Sequence, residues 1–191
     1  ILHYKVGDTD GVSLEIEKWK RSLESLGHEV YLCAGDLGHG DGTCIEEMYH
    51  HTPEAERLYA NTFIALQGEE AAYKAELELV SDAIEEKLYR FISEKQIDIL
   101  IPHNIWSVAM NPAAALALSR VVDKLHLPVL AQHHDFYWER IDGVALTCST
   151  AIELADRYLP PRDPRISHAV INSLAQHSLE ERKGIKAAIA P

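Results

Sequence analysis

Cysteine is scarce in this 191-residue chain and poorly spaced for cross-linking. Cys33, Cys44 and Cys148 lie far apart, no Cys-x-x-Cys pair occurs, and an odd count does not suit a disulfide framework. A reduced, cytoplasmic protein is expected. Basic residues are also short. The 18 Lys and Arg stand against 30 Asp and Glu, a net charge of -12, so the chain lacks the basic face of a general nucleic-acid binder. No apolar run approaches the ~20 residues that span a bilayer, and no signal-peptide pattern is visible. The common signature motifs are missing as well. There is no Gly-x-Gly-x-x-Gly fingerprint, no phosphate loop ending in Gly-Lys-Ser/Thr and no Gly-x-Ser-x-Gly elbow. Eleven histidines include no helical His-x-x-x-His pair, and no Cys/His zinc pattern is present, so no dedicated metal site is expected.

What is present is ordinary globular composition, 47% hydrophobic and 25% charged, which argues against disorder. The length suits one domain able to bury roughly 70% of its unfolded surface. The chain opens inside a strand-like run and closes just after another, the pattern of a piece cut from a longer protein. Residues 1–6 read as the first strand and residues 7–12 as a turn-rich loop. Leu14, Ile16, Trp19, Leu23 and Leu26 mark a helix from about Ser13 to Leu26. Gly27 stops it, and residues 30–34 form a second strand. Residues 35–52, rich in glycine and histidine, read as a long loop of the kind that often carries function. Thr52-Pro53 starts a helical pattern that runs to about Lys95 with a break at Gly68. Within it Tyr73, Leu77, Val80, Ile84, Leu88 and Phe91 form one core-facing stripe. Further strands are predicted at 97–102, 128–133, 166–171 and 185–190. Helices lie between them, the first opened by Asn111-Pro112, the second at 149–158, and the third capped by Ser173 and ended by Gly184. This alternation predicts an α/β fold: a Rossmann-like open, mostly parallel sheet with helices on both faces.

In such a sheet the ligand sits beyond the C-terminal strand ends. Four segments converge there: 7–13, 35–42, 103–104 and 133–140. The last is the densest, since Val129, Leu130 and Ala131 run straight into His133, His134, Asp135, Tyr137, Trp138, Glu139 and Arg140. Adjacent strand residues face opposite sides. His134 is therefore the candidate to meet a ligand, and His133 is either a second contact or a buried neighbour. An imidazole there can bond a hydroxyl or transfer a proton. Tyr137 and Trp138 can stack on a sugar or base, or pack against a further domain. Glu139 and Arg140 can fix hydroxyl or phosphate groups. In the first loop Gly11, Val12 and Ser13 lie at a helix N-terminus, where N–H groups and the dipole favour an anion. A plain turn glycine is the alternative for Gly11. Asp36, near the end of the second strand, stands where a ribose-binding acid would, which keeps an NAD-dependent Rossmann enzyme open. A non-catalytic domain binding sugar or phosphate is the other alternative.

Five segments in order carry a resemblance. They are Asp10-Gly-Val-Ser-Leu-Glu-Ile16, Leu26-Gly-His-Glu-Val30, His134-Asp135-Phe136, Val170-Ile-Asn-Ser173 and Gly184-Ile-Lys-Ala-Ala-Ile-Ala-Pro191. Together the chain resembles the N-terminal domain of glycosyltransferase family 4 enzymes. The resemblance implies a GT-B architecture, two Rossmann-like domains with the active site between them. Residues 1–191 would be the single acceptor-side domain, with the C-terminal donor-binding domain absent. It implies retaining transfer of a hexose from a nucleotide sugar to a hydroxyl on a small-molecule, lipid or glycan acceptor, with no metal or other cofactor. Peripheral membrane association of the full enzyme fits the same pattern. Carried over, Gly11 matches the family's glycine loop near the donor diphosphate, and His134 the histidine beside the transferred sugar. Val12 and Ser13 would adjoin the diphosphate, and His133 and Asp135 would flank His134. His103, Asn104, Tyr137, Trp138, Glu139 and Arg140 become candidates for the acceptor wall. Many members have two glycines in the first loop where this chain has Gly11-Val12. Without the second domain the isolated chain is expected to be inactive.

Overall fold

In the computed structural model, which describes residues 1–139 and 144–191, the strands form two parallel three-stranded sheets. One has the order β1 (Leu2–Lys5), β2 (Cys33–Asp36), β3 (Thr43–Cys44), and the other β4 (Val129–His133), β5 (Ile166–Val170), β6 (Ala187–Ile189). Residues 100–103 stitch the two together. Leu2 N–H donates to Ile101 O (3.0 Å) and His103 N–H to Leu2 O (2.9 Å) on one side. On the other, Leu130 N–H donates to Leu100 O and Gln132 N–H to Pro102 O, both at 2.9 Å. Pro102 has no N–H to give in return, so this central stretch makes bridges rather than a full ladder. The resulting order is β3-β2-β1-(100–103)-β4-β5-β6, a Rossmann-like open sheet with every described pairing parallel.

Strand alternation sorts the side chains into two faces. Leu2, Tyr4, Cys33, Leu100, Val129 and Ala131 join one core with helices α2 (Pro53–Phe63), α3 (Glu70–Glu94) and α4 (Pro112–Leu125). Ile1, Val6, Leu32, Ala34 and Ile101 pack instead beneath α1 (Gly11–Ser25), on Ile16, Trp19 and Leu23. Helices α5 (Ser149–Tyr158) and α6 (Ser173–Lys183) complete the covering. The predicted stripe on α3 is buried at Tyr73, Leu77, Ile84, Leu88 and Phe91.

Helix starts follow local chemistry. Thr52 Oγ1 accepts from Ala55 N–H and Asn111 Oδ1 from Ala114 N–H, each followed by proline at the first helical position. Two predicted helix starts differ. The first helix starts at Gly11 rather than Ser13 because the Asp10 carboxylate caps it. The last is capped by Asn172, not Ser173, through the Ala175 N–H at 2.9 Å. The second strand is displaced from 30–34 to Cys33–Asp36, because its ladder is set by pairing Leu2 with Cys33 and Lys5 with Asp36. The 35–52 segment holds β3 and a short 3-10 turn, Glu46–Met48, rather than loop alone. No helix among the described residues is long and apolar enough to cross a membrane.

Candidate functional site

The chain order reverses between β1 and residues 100–103, the kind of switch point at whose C-terminal edge open α/β sheets have their ligand crevice. Its first wall is the loop from β1 to α1. Gly7 has φ 84°, and a Cβ there would stand 2.1 Å from Leu37 O. Only glycine lets this loop lie against the one after β2. Gly11 is different. Its φ is not left-handed, and a Cβ would meet nothing within 4 Å. No demand internal to the chain explains a glycine at that position. Beside it, Asp10 Oδ1 accepts from Val12 N–H (3.1 Å) and Ser13 N–H (3.0 Å), and Ser13 Oγ donates to Oδ2 (2.7 Å). Two of the N–H groups expected to greet an anion are therefore taken by Asp10, whereas Gly11 N–H is not one of them. Partial burial raises the Asp10 carboxyl pKa. The Ser13 hydroxyl and N–H and the Val12 N–H outweigh that and hold it lower than usual.

The second wall is a chain of imidazoles. His3 Nδ1–H donates to His103 O at 2.8 Å, and His103 Nδ1 lies 3.1 Å from His134 Nε2. His134 N–H donates to Asn104 Oδ1 at 2.8 Å, and Ser107 Oγ donates to the same oxygen at 3.2 Å. Asn104 adopts φ 57°, the left-handed turn that asparagine tolerates better than most residues, and this carries the chain over the strand end. Tyr4 Oη–H donates to Ile105 O at 2.9 Å and braces the turn from below. His3 and His103 are buried, while His134 is half-buried at the rim. Burial disfavours the charged imidazole. It takes His3 from 6.5 to about 4 despite the bond to the His103 carbonyl, which opposes the shift. Burial, then the neighbouring His134, takes His103 well below its usual value. Burial lowers His134 too, with Glu15 and Asp135 opposing. At neutral pH all three rings are held neutral, and His134, at the rim, is the one that can hydrogen-bond a hydroxyl.

The fold brings Gly11, His103, Asn104 and His134 to the crevice, with Asp135 exposed beside them. It sends the rest of the cluster elsewhere. His133 is buried on the opposite side and bonds His168. Tyr137 is half-buried with its ring 5.2 Å from Phe63. Trp138 stacks on Phe136 at 4.4 Å and donates to Ser178 Oγ of α6 at 3.0 Å. Glu139 Oε2 accepts the Phe136 N–H at 2.9 Å, closing its own turn. Arg140 lies outside the described residues. The sequence pattern does not mark His3 as a site residue, nor Trp19, a helix residue whose ring stands at 88° to that of His103. Nor does it mark Gln132, fully buried with Nε2–H donating to Ala190 O at 3.0 Å. The available signal was a polar residue inside an apolar strand, at His3 and again at Gln132. Among the described residues no three His, Cys, Asp or Glu side chains gather closely enough to hold a metal ion.

Two curated proteins are similar to this chain along its whole length. Mannosylglucosylglycerate synthase of Petrotoga mobilis is 38% identical over 192 residues, and mannosylglucosylglycerate synthase of Thermotoga maritima is 36% identical over 193 residues. Each alignment covers 100% of this chain and 44% of the relative, so the chain spans under half the length of the curated relatives it matches. No protein-family model matches the chain, and no solved structure matches it significantly.

Proposed function

We propose that this chain is the acceptor-side part of a longer nucleotide-sugar-dependent glycosyltransferase, one that joins a mannosyl group to a glucosylglycerate-like acceptor. The observation that carries the reading is identity of 38% and 36%, across the entire chain, to two synthases whose product is named for those three units. An open sheet with polar groups gathered at its switch point supports the same reading. A synthase relationship favours an enzyme over a non-catalytic sugar-binding domain, and the absent glycine fingerprint weighs against NAD.

In this scheme Gly11 leaves room for the donor diphosphate at the head of α1. His134 meets the transferred sugar, and the crevice at whose rim it stands, backed by the buried His103 and Asn104, receives the acceptor hydroxyl. The remaining length of the protein supplies a second, donor-binding domain of GT-B type and the positive charge that the phosphates need. Transfer retains anomeric configuration and uses no bound metal.

The test is incubation of the intact protein with glucosylglycerate and a panel of nucleotide-activated sugars. Mannosyl transfer that persists in a chelator, with the donor's anomeric configuration kept in the product, is the expected result. The isolated 191-residue chain should turn over negligibly. No transfer by the intact protein from any mannosyl donor would overturn the assignment, and robust transfer by the isolated chain would overturn the division of labour.

A further inference from the structure

The imidazole pair at the crevice contains an asymmetry with chemical consequences. His103 is fully buried, its Nδ1 bonds His134 Nε2 at 3.1 Å, and its Nε2 has no partner among the described residues. A neutral imidazole carries one proton on one of two nitrogens, so the shared bond has two versions. In one, His134 donates. The His103 proton must then sit on Nε2, and a buried N–H is left with nothing to bond. In the other, His103 Nδ1–H donates and Nε2 keeps only a lone pair. Orphaned buried donors are rarer than under-used acceptors, which selects the second version.

We propose that His103 is a positioning residue that fixes His134 as its Nδ1–H tautomer, making His134 a hydrogen-bond donor to a hydroxyl or anionic oxygen of the bound substrate and not a proton-abstracting base. With Nε2 held by His103, Nδ1–H is the group His134 has left to offer a ligand. The backbone is secured in parallel, by His134 N–H on Asn104 Oδ1 and by His3 Nδ1–H on His103 O. Each residue is thus held at two points, one on its ring and one on its backbone, the support that a first contact to substrate needs to hold its geometry. Burial keeps both rings neutral, as a tautomer lock requires. The substrate half of this inference rests on the transferase reading above, while the tautomer itself does not.

The experiment is a long-range nitrogen–proton correlation spectrum of the intact protein labelled with 15N-histidine at neutral pH, with His134 assigned by its loss in His134→Gln. A protonated Nδ1 and a lone-pair Nε2 at His134 are expected. In His103→Phe the pattern should move toward the Nε2–H form that free histidine prefers. Transfer should fall about tenfold to a hundredfold, the usual cost of misplacing a contact to the reacting groups. His103→Asn, which returns a donor near the lost Nδ1, should recover most of both. A His134 proton on Nε2 in the wild type, or a pattern unchanged in His103→Phe, would overturn the proposal. The wild-type spectrum decides alone should His103→Phe not fold. The expected spectrum in an intact protein without transferase activity would keep the tautomer lock and sink the functional reading instead.

Discussion

His133 Nε2 lies 2.9 Å from His168 Nδ1, the two rings stacked with centroids 5.2 Å apart on neighbouring strands β4 and β5. Both residues are buried, and the bond links strands whose ladder pairs His133 with Val170 and Ala131 with His168. Burial, then the nearby His168, lowers the His133 pKa far below its ordinary value. Burial takes His168 from 6.5 to about 4 against a bond to the Pro161 backbone. These rings are held neutral, whereas in the unfolded chain they protonate near 6.5. Their contribution is present above that value. It is lost as pH falls from about 6.5 toward about 4, because the unfolded state then binds the extra protons. His168 and the likewise buried His3 on β1 should each cost about 3 kcal/mol of stability once pH is below the folded value. Denaturant titration at pH 7.5 and pH 5 is expected to show a lower midpoint at pH 5. An unchanged midpoint would mean that these histidines are not buried neutral.

Gly11 separates function from folding. A Cβ there meets nothing within 4 Å, and the residue sits at the first position of α1. Gly11→Ala should leave stability unchanged or raise it by up to about 1 kcal/mol, since alanine restricts the unfolded chain. If donor phosphates approach this backbone, the same change should weaken donor binding about tenfold, equivalent to ~1.4 kcal/mol. Calorimetry on the intact protein reads this, and unaltered donor affinity would remove Gly11 from the site.

Asp10 gives the complementary case. Asp10→Ala removes the acceptor for Val12 and Ser13 N–H and should cost about 1 kcal/mol, whereas Asp10→Asn keeps a side-chain oxygen in place and should cost less. Thermal melts of the two variants distinguish a cap from a bystander, which would show equal and negligible losses.

Trp138 should behave as a packing residue. Its ring lies 5° from parallel with Phe136 and beneath the Arg182 guanidinium at 5.6 Å. Trp138→Ala is expected to cost about 2 kcal/mol, less than truncation of a fully buried tryptophan, with KM for the acceptor unchanged. A raised KM at unchanged stability would restore it to the acceptor wall.

The stripe on α3 can be tested in the same way. Ile84 is fully buried against the α4 side of the sheet, so Ile84→Ala should cost about 3 kcal/mol by denaturant titration. A loss near zero would point to a surface awaiting a partner helix.

The sequence by itself determined the elements and their sidedness. Periods of two and near four place Leu2 and Tyr4, or Ile84 and Leu88, on the buried face, and Thr52-Pro53 and Asn111-Pro112 announce helix starts through hydrogen bonds that span three residues. Such signals are local, so the sequence alone carries them. Only the tertiary structure decided which groups meet. His3 reaches the His103 carbonyl across 100 positions, and His103 reaches His134 across 31. Periodicity tells which way a side chain leaves its own strand, not which strand lies beside it. The cluster after β4 shows the same limit. His134 turned to the crevice, while α6 and Phe63 claimed Trp138 and Tyr137, because aromatic surface is driven to whatever apolar neighbour the fold brings closest.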